Sequence, residues 1–168
     1  MYIEGRFLPR GRTDARDHVA LGRAVRYLQT SRVTASYPLF DDAGNVVGRE
    51  EARTLLFEQR GKVVLAHRHI LSPDPGRGLA AGDLPPLIRD VYARWARDRG
   101  WGPLAYVAAI HTNTDAPHGH LWLAGQTRRG RPLEIRADDY TALHQIAREV
   151  EDAASRRGAE RRRALRGL

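Results

Sequence analysis

The sequence predicts one α+β domain with a central, mostly antiparallel β-sheet of about five strands, flanked by α-helices. Runs rich in aliphatic and β-branched residues lie mainly in the middle of the chain, and helical stretches are interspersed without a regular strand–helix alternation. With 168 residues, the chain is also too short for a second independent core. We therefore expect one folded domain over residues 1–155 and a basic tail over residues 156–168.

The amino-terminal part of the chain is expected to contain a strand, a helix and a hairpin. Residues 1–13 indicate a short strand or arm followed by a loop. Apolar residues recurring at helical spacing predict a helix over Ala15–Gln29. Within Tyr37–Val47, the turn-forming residues Asp41 to Asn45 separate two apolar patches and favour a hairpin or an excursion.

A helix, a strand and a second helix follow. The composition of Arg49–Gln59 favours a short helix, and the aliphatic run Lys62–Leu71 predicts a strand that stops at Ser72-Pro73. A further helix is expected from Asp83 to about Arg99, because its two prolines fall in a first turn whose amides have no helical partners.

The carboxyl-terminal part predicts an antiparallel pair and a long helix. The apolar runs Leu104–His111 and His118–Gln126 are joined by a polar connection of six residues, as in a hairpin. A short strand is expected over Pro132–Arg136. The last helix begins at Asp138 and carries an apolar stripe.

Composition narrows the class of partner. The net charge is +8 and Lys62 is the only lysine, so nearly all positive charge is arginine, whose planar fork suits phosphate and stacks on bases. Nucleic acid is therefore favoured over a membrane surface, although a coding bias towards arginine would give the same composition. The absence of cysteine excludes thiol catalysis and disulfides. No apolar run is long enough to span a bilayer and no signal peptide is recognisable, so we expect a cytoplasmic protein without membrane insertion.

Three histidines form a candidate metal site. His118 and His120 lie two apart on a predicted strand and so project from one face, and a hairpin would return the chain beside His111. Three imidazoles can then converge on one ion and leave coordination positions open for substrate. Asn113 and Asp115 in the connection are candidates to orient a ligand imidazole.

Spacing alone leaves an alternative open. A histidine on a strand is more often an ordinary polar residue than a ligand, and His67 and His69 have the same spacing elsewhere in the chain. The third histidine within hairpin reach is what favours a metal site at His111, His118 and His120.

The segment from Val107 to Leu123 resembles the third motif of the MobA/VirD2-type relaxases, which belong to the HUH endonuclease superfamily. That motif has a strand, a histidine, a polar loop containing Asn-Thr, a His-x-His pair and an apolar strand. The stretch Asp14–Gln29 is similar to the family's amino-terminal motif, in which the nucleophilic tyrosine follows arginine. Arg68–Pro73 resembles a middle strand that ends in Ser-Pro. Two departures are Gly119, where the family usually has a bulkier or polar residue, and the stretch from Thr30 to Tyr37.

The resemblance implies an HUH-type fold and metal-dependent, site- and strand-specific nicking of DNA in plasmid mobilisation or conjugative transfer. It implies Mg²⁺ or Mn²⁺ at the three histidines and Tyr27 as nucleophile, with a covalent 5′-phosphotyrosine intermediate religated by transesterification. Tyr37 and Tyr2 are the other candidate nucleophiles, whereas Tyr92, Tyr106 and Tyr140 lie in apolar stripes. The expected partners are single-stranded DNA at an origin-of-transfer-like site, plasmid accessory proteins and a conjugative coupling protein, bound by a monomer.

Several arginines and one tryptophan are candidates to contact the DNA strand through phosphate pairing and base stacking. They are Arg26, Arg32, Arg68, Arg128, Arg129, Arg131 and Trp122.

Other functions fit parts of the pattern. A rolling-circle replication initiator or a transposase of the same superfamily would usually carry its tyrosine after the His-x-His strand. A non-catalytic DNA-binding accessory protein would keep the fold without binding metal.

Overall fold

The structure, a computed structural model, describes residues 1–30, 37–114 and 116–166. These residues form six strands, four α-helices and two short 3₁₀ turns. The strands are β1 (Tyr2–Pro9), β2 (Leu39–Asp41), β3 (Val46–Val47), β4 (Val64–Ser72), β5 (Leu104–His111) and β6 (His118–Thr127). The helices are α1 (Asp14–Gln29), α2 (Arg49–Glu58), α3 (Leu84–Asp98) and α4 (Ala137–Arg166).

The six strands form one sheet in the order β1-β4-β6-β5-β2-β3, and every neighbouring pair is antiparallel. The α+β class with a mostly antiparallel sheet is therefore confirmed. The sixth strand arises because the turn residues Asp41 to Asn45 connect β2 and β3 in a short hairpin.

The prediction of a strand over Pro132–Arg136 is wrong. In the described part of the chain this segment makes only one bridge, between Gln126 and Pro132. Proline has no amide to donate to a ladder. One further bond, from the Leu133 amide to the Gly125 carbonyl at 2.9 Å, holds the chain against the sheet before α4 begins.

Helices α1 and α2 cover one face of the sheet. The apolar stripe of α1 packs with residues of α2 and with side chains of β5 and β6 that alternate towards this face. The buried residues of this cluster include Leu21, Val25 and Leu28 of α1, Leu56 of α2, Val107 of β5 and Trp122 of β6.

Helices α3 and α4 cover the opposite face, and together they bury the larger aromatic side chains. Ile88, Tyr92 and Trp95 of α3 pack with Leu143 of α4 and Leu121 of β6. The expected basic tail is a continuation of α4, which runs through residue 155 to Arg166. None of the described helices has the length and apolar character needed to cross a membrane.

The start of α1 is held by side chains as well as by packing. The Thr13 hydroxyl accepts a hydrogen bond from the Arg16 amide and caps the helix. The fully buried Asp17 carboxylate accepts from the Gly11 amide at 2.7 Å and from Arg10 Nε at 3.2 Å. Arg60 Nε approaches the same carboxylate at 3.9 Å. These contacts fix α1 against the loop that precedes it.

Candidate metal centre and active site

The three histidines lie at the same end of the two central strands. In the antiparallel register His111 of β5 stands opposite His118 of β6, and Ala109 stands opposite His120. Cross-strand partners share a face, and residues two apart on a strand do too. All three imidazoles therefore project towards the α1 and α2 side.

The imidazoles converge. One ligand nitrogen from each of His111, His118 and His120 can be chosen so that all three atoms lie within 4.8 Å of one another. The ring centroids are 4.3 Å apart for His111 and His120, 5.0 Å for His118 and His120, and 5.8 Å for His111 and His118. Three protein ligands with this spacing can hold one divalent ion and leave positions for substrate or water.

Two of the rings are oriented by backbone carbonyls. His111 Nε2 donates to the Leu28 carbonyl at 2.6 Å, which leaves Nδ1 with the free lone pair. His118 Nδ1 lies 3.2 Å from the Ala116 carbonyl and 3.2 Å from the Thr114 hydroxyl, which leaves Nε2 for a ligand. The carbonyl of Leu28 was not a sequence-based candidate, because it lies on α1 and is distant in the chain.

Of the two residues expected to orient a ligand imidazole, the structure describes Asn113. Asn113 is exposed, and no hydrogen bond from its side chain to an imidazole occurs within the described ranges. Asp115 lies outside the described residues. The orienting side chain found in this connection is Thr114, which belongs to the same Asn-Thr pair.

The chemistry of the donor set fits a divalent metal. The Nδ1 atom of His120 is buried and has no hydrogen-bond partner among the described residues, and a bound cation would relieve such an orphaned site. Burial, with smaller contributions from His111 and His118, lowers the pKa of His120 to about 3. Burial also lowers the pKa of His111, partly offset by its bond to Leu28. Neutral imidazoles are the form that ligates a metal ion.

Tyr27 lies beside this cluster. Its ring stands edge-on to that of His120, with the centroids 5.5 Å apart. The residue is 43 % exposed, so part of its side chain is open to a substrate from solvent. The guanidinium carbon of Arg68 lies 5.8 Å from the centre of the Tyr27 ring. The structure thus brings Tyr27, Arg68 and the three histidines together.

Tyr37 is also part of the cluster. Its ring stacks on that of His111, with the centroids 4.3 Å apart and the planes within 16° of parallel. Tyr2, the remaining candidate, is on the edge strand β1 and is exposed.

The other candidate DNA contacts are scattered. Arg26 is exposed in the last turn of α1, next to Tyr27, and Arg32 lies outside the described residues. Arg128, Arg129 and Arg131 follow the far end of β6, roughly 30 Å along the strand from His118 at the usual rise per residue.

These distal arginines also have local partners. Arg128 pairs with Asp42, with Nη2 and Oδ1 2.5 Å apart, and Arg131 donates to the Gly100 carbonyl at 2.8 Å. The structure does not bring them to the histidine cluster.

Trp122 does not match its expected role in base stacking. It faces the same side of the sheet as His120, but it is only 9 % exposed and packs in the core beneath α1 and α2. Its ring is covered by these helices and is not available to an unpaired base.

His67 and His69 belong to the opposite face. His69 contacts the Tyr92 hydroxyl through Nδ1 at 2.6 Å, and His67 Nε2 contacts the Leu133 carbonyl at 3.2 Å. They are structural polar residues beneath α3 and α4, although their spacing equals that of His118 and His120.

Gly119, between the paired histidines, faces α3. A Cβ atom at this position would lie 2.6 Å from Cδ1 of Ile88, which is closer than carbon atoms approach. The isoleucine of α3 therefore occupies the space that a side chain at residue 119 would need.

Comparisons with known proteins concern the family and the fold. The family model described as "Relaxase: MobA/VirD2-like, nuclease domain" matches residues 32–155, which include the three histidines and Tyr37 but not Tyr27. A solved structure from work on the molecular basis of vancomycin resistance transfer in Staphylococcus aureus is similar in fold. Its TM-score is 0.58 at 10 % identity, and the alignment covers 94 % of this chain and 93 % of that one. No curated protein sequence matches the chain.

Proposed function

Because this chain belongs to the MobA/VirD2-like relaxase family, we propose that it nicks one strand of DNA with Tyr27 as nucleophile and a divalent ion at His111, His118 and His120. The observation that carries the proposal is the position of Tyr27. An accessible tyrosine ring lies 5.5 Å from a ring of the three-histidine cluster. Its place at the end of a helix, on the face that the histidines share, supports a role in the reaction.

The histidines prepare the site for an anionic substrate. A divalent ion bound there would polarise the scissile phosphate and offset its negative charge. Mg²⁺ or Mn²⁺ is proposed from the family, although imidazole ligands also accept other divalent ions. The depressed pKa values of His111 and His120 keep both rings neutral at neutral pH, so the ligands add no charge that would repel a cation.

In the proposed step the Tyr27 oxygen forms a bond to phosphorus and the bond from phosphorus to the 3′ oxygen breaks. The tyrosine proton is transferred, in net terms, to the departing 3′ oxygen. The products are a 5′-phosphotyrosine linkage and a free 3′ hydroxyl. Because the linkage conserves the phosphodiester bond, the reverse attack by a 3′ hydroxyl rejoins the strand without a further energy source.

Arg68 is the best placed residue to contact the substrate strand. Its guanidinium group lies over the Tyr27 ring. The side chain is only partly exposed, and its Nη2 atom forms an ion pair with Glu4 Oε1 at 3.6 Å. Guanidinium groups pair well with phosphate oxygens. We further propose an origin-of-transfer-like single strand as substrate, in plasmid mobilisation, with accessory and coupling proteins as partners of a monomeric enzyme.

The proposal is tested by trapping the covalent intermediate. The protein is incubated with a pool of random single-stranded DNA and Mn²⁺, resolved under denaturing conditions, and the attached DNA is sequenced. Wild-type protein should form an adduct that EDTA prevents. Tyr27→Phe should form none, while its binding to single-stranded DNA should persist because only one hydroxyl is lost.

Tyr2→Phe is the matched control, since it removes the hydroxyl of another exposed tyrosine, which lies on the edge strand β1, two strands away from β6 with its paired histidines. It should form the adduct as the wild type does. Persistence of the adduct in Tyr27→Phe would exclude Tyr27 as nucleophile. DNA binding without metal binding by the wild-type protein would favour a non-catalytic accessory protein.

A further inference from the structure

The carboxyl end of α1 contacts the metal centre through consecutive residues. The Leu28 carbonyl accepts from His111 Nε2 at 2.6 Å, and the next carbonyl, of Gln29, accepts from the Tyr37 amide at 3.2 Å. The residue before them is Tyr27, whose ring approaches His120. One turn of helix therefore holds the nucleophile, a ligand imidazole and a second tyrosine.

The Tyr37 ring covers His111. At 4.3 Å between centroids and 16° between planes, the two rings are stacked, whereas Tyr27 is edge-on to His120 with a 70° angle between planes. His120 lies 4.3 Å from the His111 centroid as well. The His111 ring is thus flanked by two other rings, and rotation about its side-chain bonds would break the stacking.

Stacking also determines where the Tyr37 oxygen lies. The lone pair of an imidazole nitrogen lies in the plane of its ring, so His111 would offer its free nitrogen to an ion in that plane. The Tyr37 hydroxyl is in the plane of its own ring, which is nearly parallel to the His111 plane and displaced from it. This arrangement places the aromatic face of Tyr37, and not its hydroxyl, against the His111 ring.

We propose that Tyr37 is a positioning residue, which fixes the plane of His111 by stacking while the Leu28 carbonyl fixes its tautomer. This inference rests on the proposed function, since it treats His111 as a metal ligand. It goes further because it assigns Tyr37 a role that depends on its ring and does not need its hydroxyl. Hydrogen-bonding partners outside the ligand set typically change metal affinity by about 10- to 100-fold, and we expect a stacking contact that fixes the ring to act in the same direction.

The first test needs no metal. In the metal-free protein, stacking should shift the His111 ring protons upfield in the NMR spectrum. Tyr37→Phe should preserve that shift and Tyr37→Ala should remove it. Tyr2→Ala, the matched control on β1, should leave it unchanged. An unaltered His111 signal in Tyr37→Ala would overturn the inference.

The second test measures Mn²⁺ affinity by calorimetry and adduct formation on single-stranded DNA. Tyr37→Ala should bind Mn²⁺ about 10-fold more weakly, while Tyr37→Phe should match the wild type in both assays. Tyr37→Leu serves as a second variant if Tyr37→Ala does not fold. Wild-type Mn²⁺ affinity in a folded Tyr37→Ala or Tyr37→Leu, or loss of the adduct in Tyr37→Phe, would overturn the inference.

The two proposals fail in different ways. If wild-type protein formed no adduct and bound no Mn²⁺, the proposed nicking activity would be wrong, and the NMR comparison would still decide whether Tyr37 positions His111. If the wild type were active and the Tyr37 variants were all unchanged, only the positioning role would be wrong.

Discussion

The three histidines differ in their hydrogen-bond partners. His111 is bound by the Leu28 carbonyl and His118 by the Ala116 carbonyl, but His120 Nδ1 is buried without a partner in the described structure. An unsatisfied buried polar group typically costs about 1 to 3 kcal/mol. The cluster is therefore less favourable without a ligand than an ordinary hydrogen-bonded set of histidines.

Arg68 and Arg128 provide a matched pair for the DNA contact. Arg68→Ala should reduce the salt dependence of single-stranded DNA binding by about 0.7 in log–log slope, because one phosphate contact is lost. Arg128→Ala should leave the slope unchanged, since Arg128 pairs with Asp42 at the far end of β6. Fluorescence anisotropy with a labelled oligonucleotide over a KCl series measures both. Equal slopes for Arg68→Ala and wild type would remove Arg68 from the binding surface.

The sequence pattern predicts contacts between residues of one hairpin. It does not predict contacts that arise only when the helices pack on the sheet. The two-residue period and the hairpin connection place His111, His118 and His120 together without any knowledge of the helices. The Leu28 carbonyl and the Tyr37 ring reach His111 only because α1 packs on that face. Trp122 was misjudged for the same reason, since the strand period gives its face but not the helices that cover it.

At the scale of elements, the position of Tyr27 depends on how α1 is anchored at its other end. Asp17 is buried and binds the Gly11 amide and Arg10. Asp14, in the same turn, is exposed and makes only ion pairs near the surface. Comparing the two carboxylates therefore shows how burial of an acidic side chain in the first turn of α1 affects stability.

Asp17→Ala should lower the free energy of unfolding by about 2 kcal/mol, because the Gly11 amide and the Arg10 guanidinium lose the buried carboxylate that accepts their hydrogen bonds. Asp14→Ala should lower it by about 0.5 kcal/mol or less, as expected for exposed ion pairs. Urea denaturation followed by circular dichroism measures both values. A loss in Asp14→Ala as large as in Asp17→Ala would contradict this account of the anchor.

The elements themselves were largely predictable from periodicity and turn residues. The helix expected over Ala15–Gln29 begins one residue earlier, at Asp14, because its cap is Thr13. Among the described residues, the strand expected over Pro132–Arg136 is reduced to one bridge, because Pro132 has no amide to donate to a ladder. The order of the strands in the sheet requires long-range pairing that local patterns do not contain.

At the scale of the molecule, the face opposite the metal centre makes stability depend on pH. Burial lowers the pKa of His69 to about 3, with a smaller contribution from His67, and burial also lowers the pKa of His67 from its usual value of 6.5. The unfolded chain takes up these protons below about pH 6.5, whereas the folded chain takes them up only at a lower pH. Folding is therefore favoured above that pH and becomes less favourable as the pH falls towards 3.

In EDTA, the free energy of unfolding should fall with decreasing pH below about 6.5, by up to about 1.4 kcal/mol per pH unit for each such proton. His69→Gln should show a shallower slope, because its side chain can still bond to Tyr92 but cannot titrate. Urea denaturation at a series of pH values measures the slopes. Parallel curves for the two proteins would show that His69 does not contribute.

The close approach of Ile88 to Gly119 makes these two positions dependent on each other. A side chain between the paired histidines needs the residue at position 88 to turn its side chain aside, a smaller residue there, or α3 held further from the sheet. The packing of a strand residue and a helix residue is thus coupled directly behind the histidine cluster. Grafting a bulkier His-x-His motif into this chain would accordingly force Ile88 to move or call for a smaller residue in its place.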